Sequence, residues 1–404
     1  MRSARAARGA WAGTTAVVLA ALVVASAPPA HADTVRSRQW HLDAMHAEEM
    51  WETSTGAGIT VAVIDSGVDA TLPDLQGQVL EGKNFTDEPG DARTDADGHG
   101  TGIAALIAGT GKAGSDTGAY GLAPGTKILP LRVGGKNFQQ GAQITADAIR
   151  YAADSEAKVI NISRGSPGRS AEEEKAITYA LSKGKMIFAS VGNTGDKSNM
   201  VEYPAAYPGV IGVAAYDQEG NSAKWSQYGP QVDLAAPGVG LVAACTGRTG
   251  VCRSNGTSDA SALASASAAL IWAVHPAWTA NQVARVLVNT AGGTTTSAKR
   301  DDYVGYGAVR PRIALKDPGD PGPADANPLP GSEPSQSPKS GDGQDTAVSL
   351  PKHPGTEASA NNDGGTPTKW IALGAGAAVL LGAAIATPIV LNRRRSTDQR
   401  SAAL

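Results

Sequence analysis

Residues 59–64, Ile-Thr-Val-Ala-Val-Ile, form an unbroken run of apolar and β-branched side chains that ends on an aspartate, Asp65. A run without a polar face suits a strand covered on both sides, and strands of that kind belong to parallel sheets. Similar runs recur at 127–133, 158–162, 185–191 and 210–214, with helical patterns at 100–108, 144–153, 171–182, 258–274 and 279–290. Alternating strands and helices predict an α/β domain with a mainly parallel sheet flanked by helices, and they put functional groups on loops at the carboxyl ends of strands. The chain shows no internal repeat, and no G-x-G-x-x-G or Walker glycine pattern follows the first strand, which excludes a nucleotide-binding reading.

The ends of the chain set its expected topology. Arg2, Arg5 and Arg8 precede an apolar run at 16–24, and Ala30-His31-Ala32 closes it with small residues, the pattern of a signal peptide spanning 1–32. Its apolar part is nearer ten residues than the roughly 20 that cross a bilayer. Residues 370–391 are rich in Ala, Leu, Ile, Val and Gly and carry no charge. At about 1.5 Å per residue they reach roughly 33 Å, enough for a transmembrane helix. Arg393, Arg394 and Arg395 follow, so the tail at 392–404 is expected in the cytoplasm and everything before 370 outside. Residues 317–369, dominated by Pro, Gly, Ser, Asp and Asn, read as a tether. A short N-terminal extension, 33–58, and a domain at 59–316 remain. The net charge of −3 leaves no electrostatic footprint for nucleic acid. Cys245 and Cys252 are the only cysteines; in an exported protein they are expected to form one disulfide, with two free thiols as the alternative.

Three short motifs carry chemistry. Asp65 leaves a two-faced apolar strand, where a carboxylate is costly unless it has work such as holding a histidine; it is equally readable as a turn aspartate before Ser-Gly. His99 sits in Asp97-Gly98-His99-Gly100-Thr101, a glycine-flanked helix start whose positive end favours a neutral, base-competent imidazole. Ser258 follows Gly256-Thr257 at the start of an Ala/Ser-rich helix, where its backbone N–H is unpaired and its hydroxyl exposed, as a nucleophile with an oxyanion site requires. An isolated G-T-S is more commonly a plain helix cap. The joint occurrence and the order Asp, His, Ser decide among these readings.

Asp65-Ser66-Gly67, His99-Gly100-Thr101 and Gly256-Thr257-Ser258 in that order resemble the subtilisin-like serine peptidases. The likeness covers about residues 58–311 and includes Ala189-Ser190-Val191-Gly192-Asn193, Asn161-Ile162-Ser163-Arg164-Gly165 and the stretch 225–238. It implies a three-layer subtilisin-like fold and an endopeptidase acting on protein or peptide substrates. It also implies that Asp65 orients His99, that His99 takes the proton of Ser258, and that the Asn193 amide and the Ser258 N–H hold the oxyanion. Ser163, Arg164 and Gly165 would bind the substrate backbone and wall the first specificity pocket. No metal site and no cofactor are expected.

This chain departs from the family pattern in several places. Asp259 and Ala262 stand where methionine and proline commonly follow the serine, and a carboxylate beside the nucleophile is expected to raise the pKa of His99. Arg164 stands where many relatives have leucine, and Gly102-Ile103 follow the histidine motif where His-Val is usual. No propeptide of roughly 70 residues, as the family implies, fits before residue 59. The short extension, the disulfide, the tether and the C-terminal helix are similar to the mycosins, peptidases associated with type VII secretion, which implies a secretion complex as partner. The alternative is an exported subtilase scaffold with a structural role in such a complex.

Overall fold

A computed structural model describes residues 34–293 and 300–329. The expected signal peptide (1–32), the tether beyond residue 329, the transmembrane helix (370–391) and the tail (392–404) lie outside the described residues. Among the described residues no helix is long and apolar enough to cross a membrane.

In chain order the helices are α1 Trp40–Ala44, α2 Ala47–Trp51, α3 His99–Ala108, α4 Phe138–Asp154, α5 Ala171–Ser182, α6 Thr257–Val274, α7 Ala280–Thr290 and α8 Pro311–Lys316. The strands are β1 Thr60–Asp65, β2 Lys83–Asn84, β3 Lys127–Arg132, β4 Val159–Ile162, β5 Met186–Ser190, β6 Ile211–Tyr216, β7 Leu234–Pro237, β8 Val239–Ala244 and β9 Val251–Asn255. Strands β1 to β7 make one sheet in the order β2-β3-β1-β4-β5-β6-β7, parallel throughout. The chain runs outward from β1 toward β3 on one side and toward β7 on the other, so the order reverses at β1 and β4. Ligand sites of open α/β sheets form where the order reverses.

The sheet separates two cores. Val61 and Val63 of β1 face one, with Ile103, Leu106 and Ile107 of α3 and the apolar residues of α6 from Ala260 to Trp272. Ala62 and Ile64 face the other, with Ile149 of α4 and Ile177 of α5. Alternate residues of β1 thus enter opposite layers, which explains why the strand reads as a continuous apolar run. Helix α6 is buried from Thr257 to Trp272. Its alanines and serines let the helix approach the sheet closely, and larger side chains there would overpack it.

Both flanks of the expected domain join it. Val35, Leu42, Met45 and Met50 are buried in the α3/α6 core. Gln39 donates through Nε2 to the Tyr120 and Val242 carbonyls (2.7 and 2.9 Å), and Trp40 Nε1 donates to the Val239 carbonyl (3.1 Å). At the other end, Thr279, Gln282 and Arg285, at the start of α7 and just before it, donate to the carbonyls of Ala324, Gly322 and Ala326, and Leu329 is buried. The first residues of the Pro/Gly-rich stretch are therefore held by side chains of Thr279 and α7 that donate to their carbonyls, a contact that composition does not signal.

Strands β8 and β9 pair antiparallel as a hairpin off the main sheet, and Cys245 and Cys252 are joined across it with Cα atoms 5.8 Å apart.

Candidate active site

Asp65 is the last residue of β1 and His99 the first of α3. The helix start comes close to the strand end because residue 100 is glycine: a Cβ there would lie 3.0 Å from the Asp65 Cβ and closer still to the Gly67 carbonyl. Gly98, at φ 90°, makes the left-handed turn into the helix. Asp95 holds that turn by accepting from the N–H groups of Gly98 and Thr101, both at 2.9 Å. The result is a hydrogen bond of 2.8 Å between His99 Nδ1 and Asp65 Oδ1, with the Asp65 side chain 1% exposed and that of His99 42%. Asp65 Oδ1 also accepts from the Ser66 N–H at 2.7 Å. A carboxylate on Nδ1 fixes the tautomer that leaves Nε2 free to accept a proton.

Burial favours the neutral imidazole, but the hydrogen bond and charge of Asp65, with the charges of Asp259 and Asp97, outweigh it and hold the His99 pKa above the usual histidine range. The expectation that the helix N-terminus keeps this ring neutral is therefore corrected: three carboxylates surround it, and they prevail. Asp259 is itself nearly inaccessible, and burial pushes its carboxyl up to about 6 against the opposing hydrogen bond from Ser254 and the attraction of His99. Its Oδ2 has no hydrogen-bond partner.

Ser258 is the second residue of α6, where a backbone N–H has no intrahelical acceptor. Its hydroxyl donates to the Ser163 carbonyl at 3.2 Å, while the Ser163 hydroxyl donates to the Ser258 carbonyl at 3.2 Å. Behind this pair lies a buried polar network on β4. Asn161 Oδ1 accepts from the hydroxyls of Ser261 and Ser265 (2.7 and 3.1 Å), and its Nδ2 donates to Ser163 Oγ (2.8 Å). The network pins the first turns of α6 to β4. The sequence reading missed the roles of Asn161, Ser261 and Ser265; an asparagine in the middle of a buried strand was the available signal.

Asn193 follows β5. Its Oδ1 accepts from the Thr257 N–H and hydroxyl (2.9 and 3.0 Å), which forces Nδ2 to the opposite side, toward the space above Gly256 and Ser258. Thr257 is fully buried and its hydroxyl also accepts from the Gly192 N–H, so one side chain orients the asparagine loop relative to the serine. Ser163, Arg164 and Gly165 leave β4 beside this loop. Arg164 donates to the Val133 carbonyl at 3.5 Å and borders a cleft of about 140 Å³ with Phe138 and Tyr203.

Asp65, His99, Ser258, Asn193 and the 163–165 segment thus converge at the carboxyl edge of the sheet, whereas the Cys245–Cys252 bridge stands on the adjoining hairpin. Among the described residues no group of His, Cys, Asp and Glu is arranged to hold a metal ion.

A parallel α/β sheet with a buried aspartate bonded to a histidine, and a serine at a helix start beside its switch point, is the arrangement of subtilisin-type serine peptidases. The sequence profile described as "Subtilase family" matches residues 56–307, and the chain belongs to that family, whose named relatives are serine endopeptidases. It is 35% identical to subtilisin BL of Lederbergia lenta over 65% of this chain and 92% of that one. It is 40% identical to a thermophilic serine proteinase of a Bacillus strain, over 56% of this chain and 55% of that protein's length. Among solved structures it resembles MycP1 from Mycobacterium smegmatis, with a TM-score of 0.63, 30% identity, and coverage of 74% of this chain and 89% of that one. MycP3, described as a protease from the type VII (ESX-3) secretion system, gives a TM-score of 0.61 at 31% identity, covering 68% of this chain and 87% of that one.

Proposed function

We propose that the chain hydrolyses peptide bonds in proteins through Asp65, His99 and Ser258, and that it does so as an exported, membrane-anchored peptidase of a type VII secretion complex. The observation that carries the chemistry is the 2.8 Å bond between buried Asp65 and His99 on the same sheet edge as Ser258. In this reading the Ser258 hydroxyl leaves the Ser163 carbonyl and gives its proton to His99 Nε2 as Oγ attacks the substrate carbonyl. Asp65 holds the ring and stabilises the imidazolium. The Asn193 amide and the Ser258 N–H receive the negative oxygen of the tetrahedral intermediate, and His99 then protonates the leaving amine. Ser163, Arg164 and Gly165 offer backbone to the substrate. The likeness to MycP1 and MycP3 supports the secretion assignment, and the apolar stretch 370–391 supports the anchor.

Labelling with a fluorophosphonate tests the chemistry. Wild-type protein should be modified at Ser258 and Ser258→Ala should not be, with an unchanged circular-dichroism spectrum. A wild-type protein that folds but resists the probe would favour the scaffold reading.

A further inference from the structure

We propose that Glu202 selects substrates with lysine or arginine on the acyl side of the scissile bond, an inference that rests on the catalytic reading of Ser258 above. Strands β4 and β5 are neighbours in the sheet, and the segments leaving their carboxyl ends both meet the helix start that carries the serine: the Ser163 hydroxyl donates to the Ser258 carbonyl, and Asn193 accepts from the Thr257 N–H. One side carries the segment assigned to the substrate backbone and the other carries Asn193. A peptide whose carbonyl carbon lies at Ser258 Oγ, with its oxygen at Asn193, has the preceding side chain directed between them.

Glu202 lies between the two segments. Residues 166 and 203 form an antiparallel bridge, with N–H···O distances of 3.0 and 2.8 Å, which brings the neighbouring Glu202 alongside Gly165. A Cβ on Gly165 would lie 2.8 Å from Glu202 Oε2. On the opposite side Gln227 Nε2 donates both to Glu202 Oε1 and to Thr194 Oγ1, each at 2.8 Å. The carboxylate therefore spans from one wall to the other. It is half-buried, and among the described residues the Gln227 amide is its only hydrogen-bond partner and no cation lies within ion-pair distance. Arg164, next to Gly165, gives its guanidinium to the Val133 carbonyl instead.

A half-buried carboxylate without a counter-ion is costly in the empty protein and is satisfied when a cation arrives. A lysine ammonium or arginine guanidinium supplies that charge together with hydrogen bonds to Oε2, which the Gln227 amide leaves open. An apolar side chain would remove water from the carboxylate without replacing it, and an acidic one would repel it. Selection by an unpaired group of this kind exceeds what methylene contacts alone achieve.

The test uses the purified full-length protein in detergent and a set of peptides identical except for Lys, Arg, Leu or Glu at the residue contributing the scissile carbonyl. The expected order in kcat/KM is Lys and Arg at least tenfold above Leu, with Glu lowest. Glu202→Gln should bring the Lys-to-Leu ratio close to one, and Glu202→Lys should invert the order so that the Glu peptide exceeds the Lys peptide. A wild-type protein that prefers Leu, or treats the four alike, overturns the proposal whether or not the variants fold; so does a Lys preference that survives in folded Glu202→Gln. Fluorophosphonate labelling separates the two levels. Protein that labels at Ser258 without a basic preference defeats the role of Glu202 alone, whereas folded protein that does not label defeats the catalytic reading and this inference with it.

Discussion

Ser258 and Ser163 hold each other through two hydrogen bonds of 3.2 Å, the hydroxyl of each donating to the carbonyl of the other. The hydroxyl assigned as nucleophile is thus parked on the residue that follows β4, and the same side chain that fixes the backbone of Ser258 also receives Asn161. Ser163→Ala removes the donor to the Ser258 carbonyl and leaves the Asn161 amide without its acceptor. An unmade buried hydrogen bond costs about 1–3 kcal/mol. The midpoint of urea unfolding should drop accordingly, and kcat should fall by about tenfold as the serine loses its fixed position.

Asn193 is oriented by Thr257 from two donors, so its amide points one way only. Asn193→Ala should lower kcat by about 10²–10³ with little change in KM, because a donor of this kind acts on the oxyanion and not on the ground-state carbonyl. Steady-state kinetics on one good peptide decides it. Thr257→Val keeps the volume but loses the hydroxyl, which should cost part of the same factor.

The carboxylates around His99 set the acid limb of activity. The ring accepts a proton only when neutral, and its pKa lies above the ordinary 6.5, so kcat/KM should still be rising with pH beyond neutrality. Asp259 is one of the groups that raise it. Removing that charge in Asp259→Asn should move the limb to lower pH, because an opposite charge that favours the protonated ring is lost. A limb that stays in place, or moves upward, would separate Asp259 from His99.

His41 lies fully buried in α1 with neither ring nitrogen hydrogen-bonded. Burial, helped by the positive charge of Arg36, lowers its pKa to about 3. In the unfolded chain it titrates near 6.5, so between pH 6.5 and 3 the unfolded state binds the extra proton. Its contribution is complete above pH 6.5 and is lost as pH falls through that window, by as much as about 1.4 kcal/mol per unit. Glu173 and Asp233, pushed up to about 7 by burial, act in the opposite direction, stabilising the fold at low pH and losing that contribution as pH rises through 7. The comparison between wild type and His41→Leu isolates the histidine. The two should differ little at pH 7.5, and the variant should have the higher Tm at pH 5.

Much of this was legible in the chain. β1, β3, β4, β5 and β6 have both faces covered, and a strand with two covered faces writes itself as an apolar run. Helices α3, α5, α6 and α7 lie within a residue or two of their expected limits. The Asp, His and Ser motifs are local, so their residues were identifiable before their distances. What escaped has a common cause: the information sits in partners far apart in sequence. The β8–β9 hairpin is a mixture of Gly, Ala, Cys and Arg with no clean alternation. Helices α1 and α2 have five residues each and owe their stability to the core they enter. Asn161 gains its meaning from Ser261 and Ser265, a hundred residues on. Glu202 is an ordinary loop acid until Gly165, Thr194 and Gln227 are brought around it.

The anchoring of Gln39 and Trp40 bears on how the protein matures. Their side chains fasten the first described residues to β8, the strand that begins the hairpin leading to Ser258, while Val35, Leu42 and Met50 fill the core beneath. A zymogen is usually switched on by discarding its leading segment. Here, discarding residues 34–58 would open a hole next to α6 and release the hairpin that carries the disulfide, so the stretch behaves as a keystone and not as a removable stopper. Trimming that reached Gln39 and Trp40 would remove both of these holds on β8.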